Sequence, residues 1–413
     1  MAQVIDTLCM ACTDEACDFK PVWMQRRPLG DYDVVIQMMY CGVCHSDLHA
    51  AAGHTKDLFT PPEYPFVPGH ELAGVCTRVG VNVTKFVIGD HVGVGCMVDS
   101  CMECERCIAG EEQRCKQQVQ TYGAFDVSGR AAQVPTGRQT IGGYTSVMVV
   151  HERFAIRIPK SYPLELAGPV MCAGTTVYDP LKKYGARPGM RVAIIGLGGL
   201  GVLGVQIAKA LGCVVSVVSR TTSKEQMARG LGADGYVASS DERQMADAKG
   251  SFDLILNFVP SQHDYVPYVK LLAKGGKIVF LGVHAAWAAC MWRGAAVSGP
   301  CRGSFIGGLR ATQEAIDLCD REKIFPQVTV RPVSALNEIY EALDKSNEAA
   351  TRFVLDLRAS LTEEAFAACT APPPKLKPAE AGLNKLAVAK EILFMKFRLR
   401  GPGSTSSHGG VQT

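Results

Sequence analysis

Residues 100–115, SCMECERCIAGEEQRC, set Cys101, Cys104, Cys107 and Cys115 in the pattern C-x2-C-x2-C-x7-C. Four thiolates at that spacing can meet tetrahedrally on one Zn2+ from a single short lobe. Gly110 helps the chain turn between the third and fourth ligands, and the interleaved Glu103, Glu105 and Arg106 make poor core. A zinc with four protein ligands is closed to substrate, so this site braces a loop. Reactive zinc keeps three protein ligands and an open position, usually gathered from distant parts of a chain. YCGVCHSDLHA (40–50), VPGHELAG (67–74) and PVMCAGTTVY (169–178) offer Cys44, His70 and Cys172 as such a set. Spacing does not decide whether they converge, and taken singly His70 and Cys172 read as ordinary core or surface residues. Cys41 and Cys44 also form a C-x-x-C, a redox pair if a thioredoxin-like strand and helix surround it.

A second kind of chemistry is written in MRVAIIGLGGLGVLGVQIAKALGCVVSVVSR (190–220). Val192 to Ile195 form a short apolar run suited to a buried parallel strand. Gly196, Gly198 and Gly201, with Leu197, Gly199 and Leu200 between them, then give G-x-G-x-x-G opening a helix. Glycine lets the turn close and a pyrophosphate approach backbone, and the helix N-terminus supplies N–H donors to it. A lone motif of this kind is weak, but here the strand–turn–helix–strand context is present. NAD sites usually carry an acidic residue at the end of the second strand. This strand ends instead in Ser219 and Arg220, followed by Thr221, Thr222, Ser223 and Lys224. The cations can neutralise a 2′-phosphate and the hydroxyls can bond it, which predicts NADP(H). The plainer alternative is a solvated polar turn.

The elements around these motifs alternate. FDLILNFV, GKIVFLGV and RGSFIGG continue an α/β pattern after the glycine turn. The chain has 413 residues, enough for two or three domains, with 47% hydrophobic and 20% charged residues, a globular balance. Lysine plus arginine exceeds aspartate plus glutamate by only three (43 against 40), which gives no argument for nucleic acid or a membrane surface. No apolar run reaches membrane-spanning length, and the first residues lack a secretory signal, so a cytoplasmic protein is expected. Seventeen cysteines in a reducing compartment point to metal or reactive thiols rather than disulfides. Cys9, Cys12, Cys17, Cys213, Cys290, Cys319 and Cys369 stand apart and read as small apolar fillers.

CGVCHSDLH, PFVPGHELAGVCTRVG, GDHVGVGC, the four-cysteine lobe, GGYTSVMVVHERFAIRIP, CAGTTVYDPL, GLGGLG, GSFIGG and RFVLDL follow in that order. Over roughly residues 20 to 358 the sequence resembles the zinc-dependent medium-chain alcohol dehydrogenases, most closely the cinnamyl alcohol dehydrogenase-like branch. The resemblance implies a doubly wound Rossmann sheet plus a mostly β, GroES-like catalytic domain. Boundaries at 1–172 and 309–358 for the catalytic domain, 173–308 for the NADP-binding domain and 359–413 for a C-terminal extension follow from it. It implies Cys44, His70 and Cys172 as ligands of a catalytic zinc, with Glu71 able to approach that ion when the substrate site is empty. Asp47 would receive the other ring N–H of His70, Ser46 would meet the substrate oxygen, and His49 would end a proton relay. Thr176, Gly282, Ser304, Phe305 and Ile306 would line the nicotinamide side. Two zinc ions per subunit, NADP(H), a small alcohol or aldehyde and a homodimer complete the expectation, with no nucleic-acid or membrane partner.

Departures from the family pattern are local. Phe258 stands where a small hydroxyl residue is usual, SGRAAQVPTGRQTIGG (128–143) is longer than usual, and HAAWAACMWRGAAVSGPC (284–301) replaces a more regular segment. Trp287 and Trp292 in that segment are candidates for shaping the pocket. Beyond 359, APPPKLKPAEAG reads as a linker, LNKLAVAKEILFMKFRLR as a loosely packed appended helix without a clean apolar face rather than a basic membrane- or partner-binding segment, and the last residues as disordered. The expected activity is reversible NADP(H)-dependent interconversion of a primary alcohol, cinnamyl, aryl or medium-chain aliphatic, and its aldehyde. Its rivals are a non-catalytic NADP(H)-binding sensor or scaffold, and a polyol dehydrogenase.

Overall fold

In the computed structural model the described residues are 3–54, 60–126, 138–261, 263–281, 299–345 and 352–364. Two sheets organise them. One has seven strands, in the order Val328–Pro332, Arg352–Asp356, Asp33–Gly42, Leu72–Val79, His91–Val94 and Ile156–Arg157, with Val147–His151 also pairing Asp33–Gly42. Most of its pairings are antiparallel. A separate antiparallel hairpin, Ile5–Cys12 with Phe19–Arg26, packs on its core. Arg26 is fully buried and pins that hairpin, donating to the carbonyls of Ile141, Gly142 and Val147.

The other sheet is wholly parallel, in the order Gly235–Ala238, Val214–Ser219, Arg191–Ile195, Phe252–Asn257, Leu272–Phe280 and Cys301–Gly303. Numbered along the chain this is 3-2-1-4-5-6, the doubly wound order, whose ligand crevice opens where the winding reverses. Here that point lies between Arg191–Ile195 and Phe252–Asn257. Their central residues, Val192 to Ile194 and Leu254 to Leu256, have no exposure, as a sheet covered on both faces requires. The α/β expectation holds, and the strands read from VAII, VVSVVS, FDLILN and GKIVF lie where the apolar runs placed them.

The continuous segment between the sheets is helical: Leu164–Pro169, a π-helical turn Val170–Gly174, then Thr175–Lys183. Of the solitary cysteines, Cys9, Cys12, Cys17, Cys213 and Cys319 are buried, as fillers should be, while Cys290 and Cys369 lie outside the described residues. Gly282, Trp287, Trp292, residues 128–137 of the 128–143 stretch and the chain beyond 364 also lie outside them.

Candidate active site and four-cysteine lobe

The four-cysteine lobe closes within one segment. Cys101 and Cys115 sulfurs lie 3.5 Å apart, Cys104 and Cys107 3.6 Å, Cys101 and Cys107 3.8 Å. Thiolates at zinc-bond length, ~2.3 Å, on tetrahedral corners stand ~3.8 Å apart, so this donor set fits zinc. Met102 and Gly110 take left-handed backbone (φ 65° and 77°) to wrap the chain. Arg153 ties the wrap to the sheet through the carbonyls of Met102 (3.1 Å) and Cys107 (2.9 Å). Backbone N–H groups of Glu103 and Cys104 draw the Cys101 thiol down to about 6, toward the thiolate a metal needs.

The second cluster is assembled from three elements. The strand Asp33–Gly42 ends at Gly42, and Cys44 follows as the N-cap of the helix His45–Ala51. His70 and Glu71 enter the strand Leu72–Val79, which pairs beside the first. Cys172 sits in the π-helical turn, a device often found where a helix must aim a functional side chain. The ligand atoms of Cys44, His70, Glu71 and Cys172 all lie within 4.8 Å of one another. His70 Nε2 is 3.1 Å from Cys172 Sγ, and its Nδ1 donates to Asp47 Oδ1 at 2.8 Å, which turns Nε2 toward the sulfurs, the side on which a metal could be held. The hydrogen bond from Cys172, with Arg352 and His70 nearby, pulls the Cys44 thiol well below its usual range.

Glu71 is fully buried. Its Oε1 accepts from Arg352 Nη1, and among the described residues its Oε2 has no hydrogen-bond partner. An orphaned carboxylate oxygen beside two sulfurs and an imidazole fits a site that takes a cation. Burial pushes its carboxyl up to about 7 against the pull of Arg352. Gly42 is required here, since any Cβ would run into Glu71 Oε2. Arg352, Gly42 and Tyr144 (whose hydroxyl bonds Asp47 at 3.1 Å) carried no sequence signal of these contacts, although Arg352 opens the RFVLDL motif.

Cys41 is not a redox partner of Cys44: it lies in an antiparallel-sheet strand, its thiol facing Gly42 O and Gly143. Ser46 and His49 are exposed on the helix behind Cys44, with His49 Nδ1 3.3 Å from His54 Nδ1. Although part of its ring is open to solvent, the partial desolvation of the rest, and then the neighbouring His45 and His54, lower the His49 pKa.

The glycine turn leaves the first parallel strand with Gly196 at φ 89°, and the helix Gly199–Ala210 begins after Gly198. A Cβ on Gly201 would strike Gly196 O, so the helix start can lie this close to the strand only with glycine there. Leu197 is buried and Leu200 half-buried. At the second strand's end Ser219 is half-buried and Arg220 and Thr221 exposed, while Lys224 Nζ reaches back to Leu197 O at 3.2 Å. Phe258 turns its ring onto the glycine-turn helix, 3.1 Å from where a Cβ of Gly204 would stand, so Gly204 makes the room for it. Thr176, Ser304 and Ile306 are buried and Phe305 half-buried. A small cavity runs between Cys96, Met171, Thr175 and Ile306, joining the Cys172 turn to the segment after the sixth parallel strand.

Comparison with known proteins agrees with this architecture. Residues 30–160 match the alcohol dehydrogenase GroES-like domain family, and 199–321 the zinc-binding dehydrogenase family. The "NADP-dependent alcohol dehydrogenase C 1" of Mycolicibacterium smegmatis is 42% identical over 334 residues, 80% of this chain and 92% of that one. The "Probable cinnamyl alcohol dehydrogenase 7/8" of Picea abies is 39% identical over 360 residues, 85% of this chain and 95% of that one. The solved CAD of Helicobacter pylori complexed with NADP(H) superposes with a TM-score of 0.74 at 33% identity, covering 87% of this chain and all (100%) of that one. The chain belongs to the zinc-type medium-chain alcohol dehydrogenases and is an alcohol/aldehyde oxidoreductase. Within that family it falls in the cinnamyl alcohol dehydrogenase-like branch.

Proposed function

We propose that the protein reduces an aldehyde to its primary alcohol, and the reverse, with NADP(H), at the centre formed by Cys44, His70 and Cys172. The observation that carries this reading is the convergence of those three donors and Glu71 from separated elements, with an orphaned Glu71 oxygen among them. When bound there, zinc supplies a Lewis acid for the carbonyl oxygen and the reduced nicotinamide supplies hydride. Two thiolates and one imidazole leave a position for substrate, while Asp47 fixes the His70 ring. Ser46 exchanges the proton at the substrate oxygen, and His49 passes it to solvent. Thr176, Ser304, Phe305 and Ile306 flank the nicotinamide. Ser219, Arg220, Thr221 and Lys224 receive the 2′-phosphate. A charge-assisted grip on that phosphate, with no carboxylate to bond free ribose hydroxyls, supports NADP(H) over NAD(H).

The four-cysteine lobe carries a second zinc, giving two per subunit. Its role is to hold the loop that Glu112 ties to Leu309 N (3.1 Å) at the head of the helix Leu309–Arg321. The change from mixed to parallel sheet and back supports domain boundaries near 172 and 308. A cytoplasmic homodimer is the expected form. No helix of the described residues is long and apolar enough to cross a membrane.

Purified protein should consume NADPH with cinnamaldehydes, benzaldehydes or medium-chain aldehydes, and NADH far more slowly. Elemental analysis should find two zinc ions per chain. Nucleotide binding with no turnover on any of these carbonyls, nor on polyols with NADP+, would return the non-catalytic reading. Faster turnover on polyols than on primary alcohols would make it a polyol dehydrogenase.

A further inference from the structure

Asp47 receives more than the ring of His70. Its Oδ1 accepts from His70 Nδ1 (2.8 Å) and Gly69 N (3.1 Å), and its Oδ2 from Cys44 N (2.9 Å) and the Tyr144 hydroxyl (3.1 Å). The Tyr340 hydroxyl donates in turn to that of Tyr144 at 3.4 Å. The whole chain is dry: exposure is 0% for Asp47 and Tyr144, 3% for Tyr340 and 4% for His70.

We propose that Tyr144, backed by Tyr340, is a positioning residue for the catalytic centre: its hydroxyl fixes the Asp47 carboxylate, and so sets how firmly His70 retains the metal. This rests on the assignment of Cys44, His70 and Cys172 as ligands.

Three of the four donors to Asp47 belong to the ligands or their immediate neighbours: the His70 ring, the amide of Gly69 beside it, and the amide of Cys44. They move with the ligands and give the carboxylate no independent reference. Tyr144 does. Its backbone is bonded to Pro68 O (3.1 Å) and receives Met10 N (2.9 Å), which places it between the strap that precedes His70 and the N-terminal hairpin. Its ring packs on Gly69, where a Cβ would come within 2.7 Å of Tyr144 Cδ1. Burial and the adjacent carboxylate hold both phenols well above their ordinary range, so each hydroxyl remains a donor. Donors aligned in series toward one anion polarise one another and strengthen the last bond. Without the Tyr144 hydroxyl, Oδ2 keeps only the Cys44 amide among its described partners, in a pocket where water cannot replace the loss.

Partners that orient a metal ligand typically contribute about 10- to 100-fold in metal affinity. Tyr144 acts one bond further out, so the lower end applies. The test is the time course of zinc release from the holoenzyme to a chromophoric chelator, for the wild type, Tyr144→Phe, Tyr340→Phe and Cys44→Ala. Tyr144→Phe keeps the packed ring and removes only the hydroxyl. The wild type should release two ions in two phases, and Cys44→Ala should lack one of them, which identifies the catalytic phase. In Tyr144→Phe that phase should quicken about tenfold, and in Tyr340→Phe about threefold, with the four-cysteine phase unchanged in both. The unchanged phase is an internal report that the fold is intact. With cobalt in the catalytic position, the visible bands should shift in Tyr144→Phe.

A catalytic phase within about twofold of wild type in Tyr144→Phe overturns the inference, as does equal acceleration of both phases, which would mean general loosening. Should Tyr144→Phe fail to fold, an unaltered catalytic phase in Tyr340→Phe overturns it instead. A wild type holding one zinc, or Cys44→Ala showing both phases, overturns the ligand assignment beneath it and is told apart by that result.

Discussion

In the lobe, Cys101 and Cys115 close their cluster across 14 residues of a single segment; in the proposed catalytic cluster, His70 and Cys172 meet across 102. The first set is held by its own turns, with left-handed Met102 and Gly110 and a clamp from Arg153. The second is held by the rest of the protein: a strand pairing brings Cys44 beside His70, a π-helical turn delivers Cys172, and Arg352 secures Glu71 from 281 residues away. A cluster that closes locally can be saturated by its own residues and serves to stiffen. One drawn from separate elements can leave a position open, because no single segment has to fill it. It also sits where those elements meet, beside the cavity that runs from Cys96 and Met171 to Ile306.

Breaking one ligand in each cluster should separate the two roles most sharply. Cys44→Ala should lower aldehyde reduction by on the order of 10^3-fold, the loss of a Lewis acid, while the thermal midpoint moves by no more than about 3 °C. Cys101→Ala should instead lower the midpoint by about 5 °C or more, with turnover per folded molecule largely kept. Zinc content, melting curves and steady-state rates on the same preparations check both. Equal melting losses in the two variants would erase the distinction.

Ser46→Ala tests the proposed proton path, which only the open cluster would need. Its kcat should drop by about 10^2-fold with zinc content unaltered. Arg220→Ala reaches the cofactor side alone: the KM for NADPH should rise about tenfold, that for NADH should stay put, and neither zinc should be lost.

The smallest expected effect concerns pH. Partial desolvation, His45 and His54 depress the His49 pKa below 6.5, whereas Cys44 and Asp344 pull the other way. A depressed imidazole pKa means the neutral, proton-accepting form persists to lower pH. Alcohol oxidation should therefore hold its rate as pH falls through 6.5 and decline only below it. In His54→Ala, with one neighbouring positive charge gone, that decline should begin at higher pH. A kcat/KM profile against pH for both proteins checks the direction, and no movement would remove His54 from the relay's surroundings.

Much of this site could be read before any coordinates. Each legible part is short in sequence: the four-cysteine spacing, the glycine turn with the strand before it, and the Ser219–Lys224 turn without a carboxylate. Their types offer Cys44, His70 and Cys172 as a ligand set, but only the family resemblance assigns them, since their spacing is compatible with convergence and equally with none. Arg352, Gly42, Gly204 and Tyr144 were not assigned. Nothing local distinguishes an arginine that neutralises a buried glutamate from one on a surface, or a tyrosine that anchors a carboxylate from one that fills a core.

The sequence by itself determined what depends on neighbours along the chain: a lobe able to close on one ion, a turn able to admit a pyrophosphate, and a parallel sheet of buried strands. Tertiary structure decided the rest, because it concerns distance between residues that the chain separates. His70 and Asp47 stand 23 residues apart, Tyr144 and Asp47 97, Arg352 and Glu71 281. Hydrogen bonds and metal coordination act over a few ångströms, so only packing of the whole fold settles which of those partners meet.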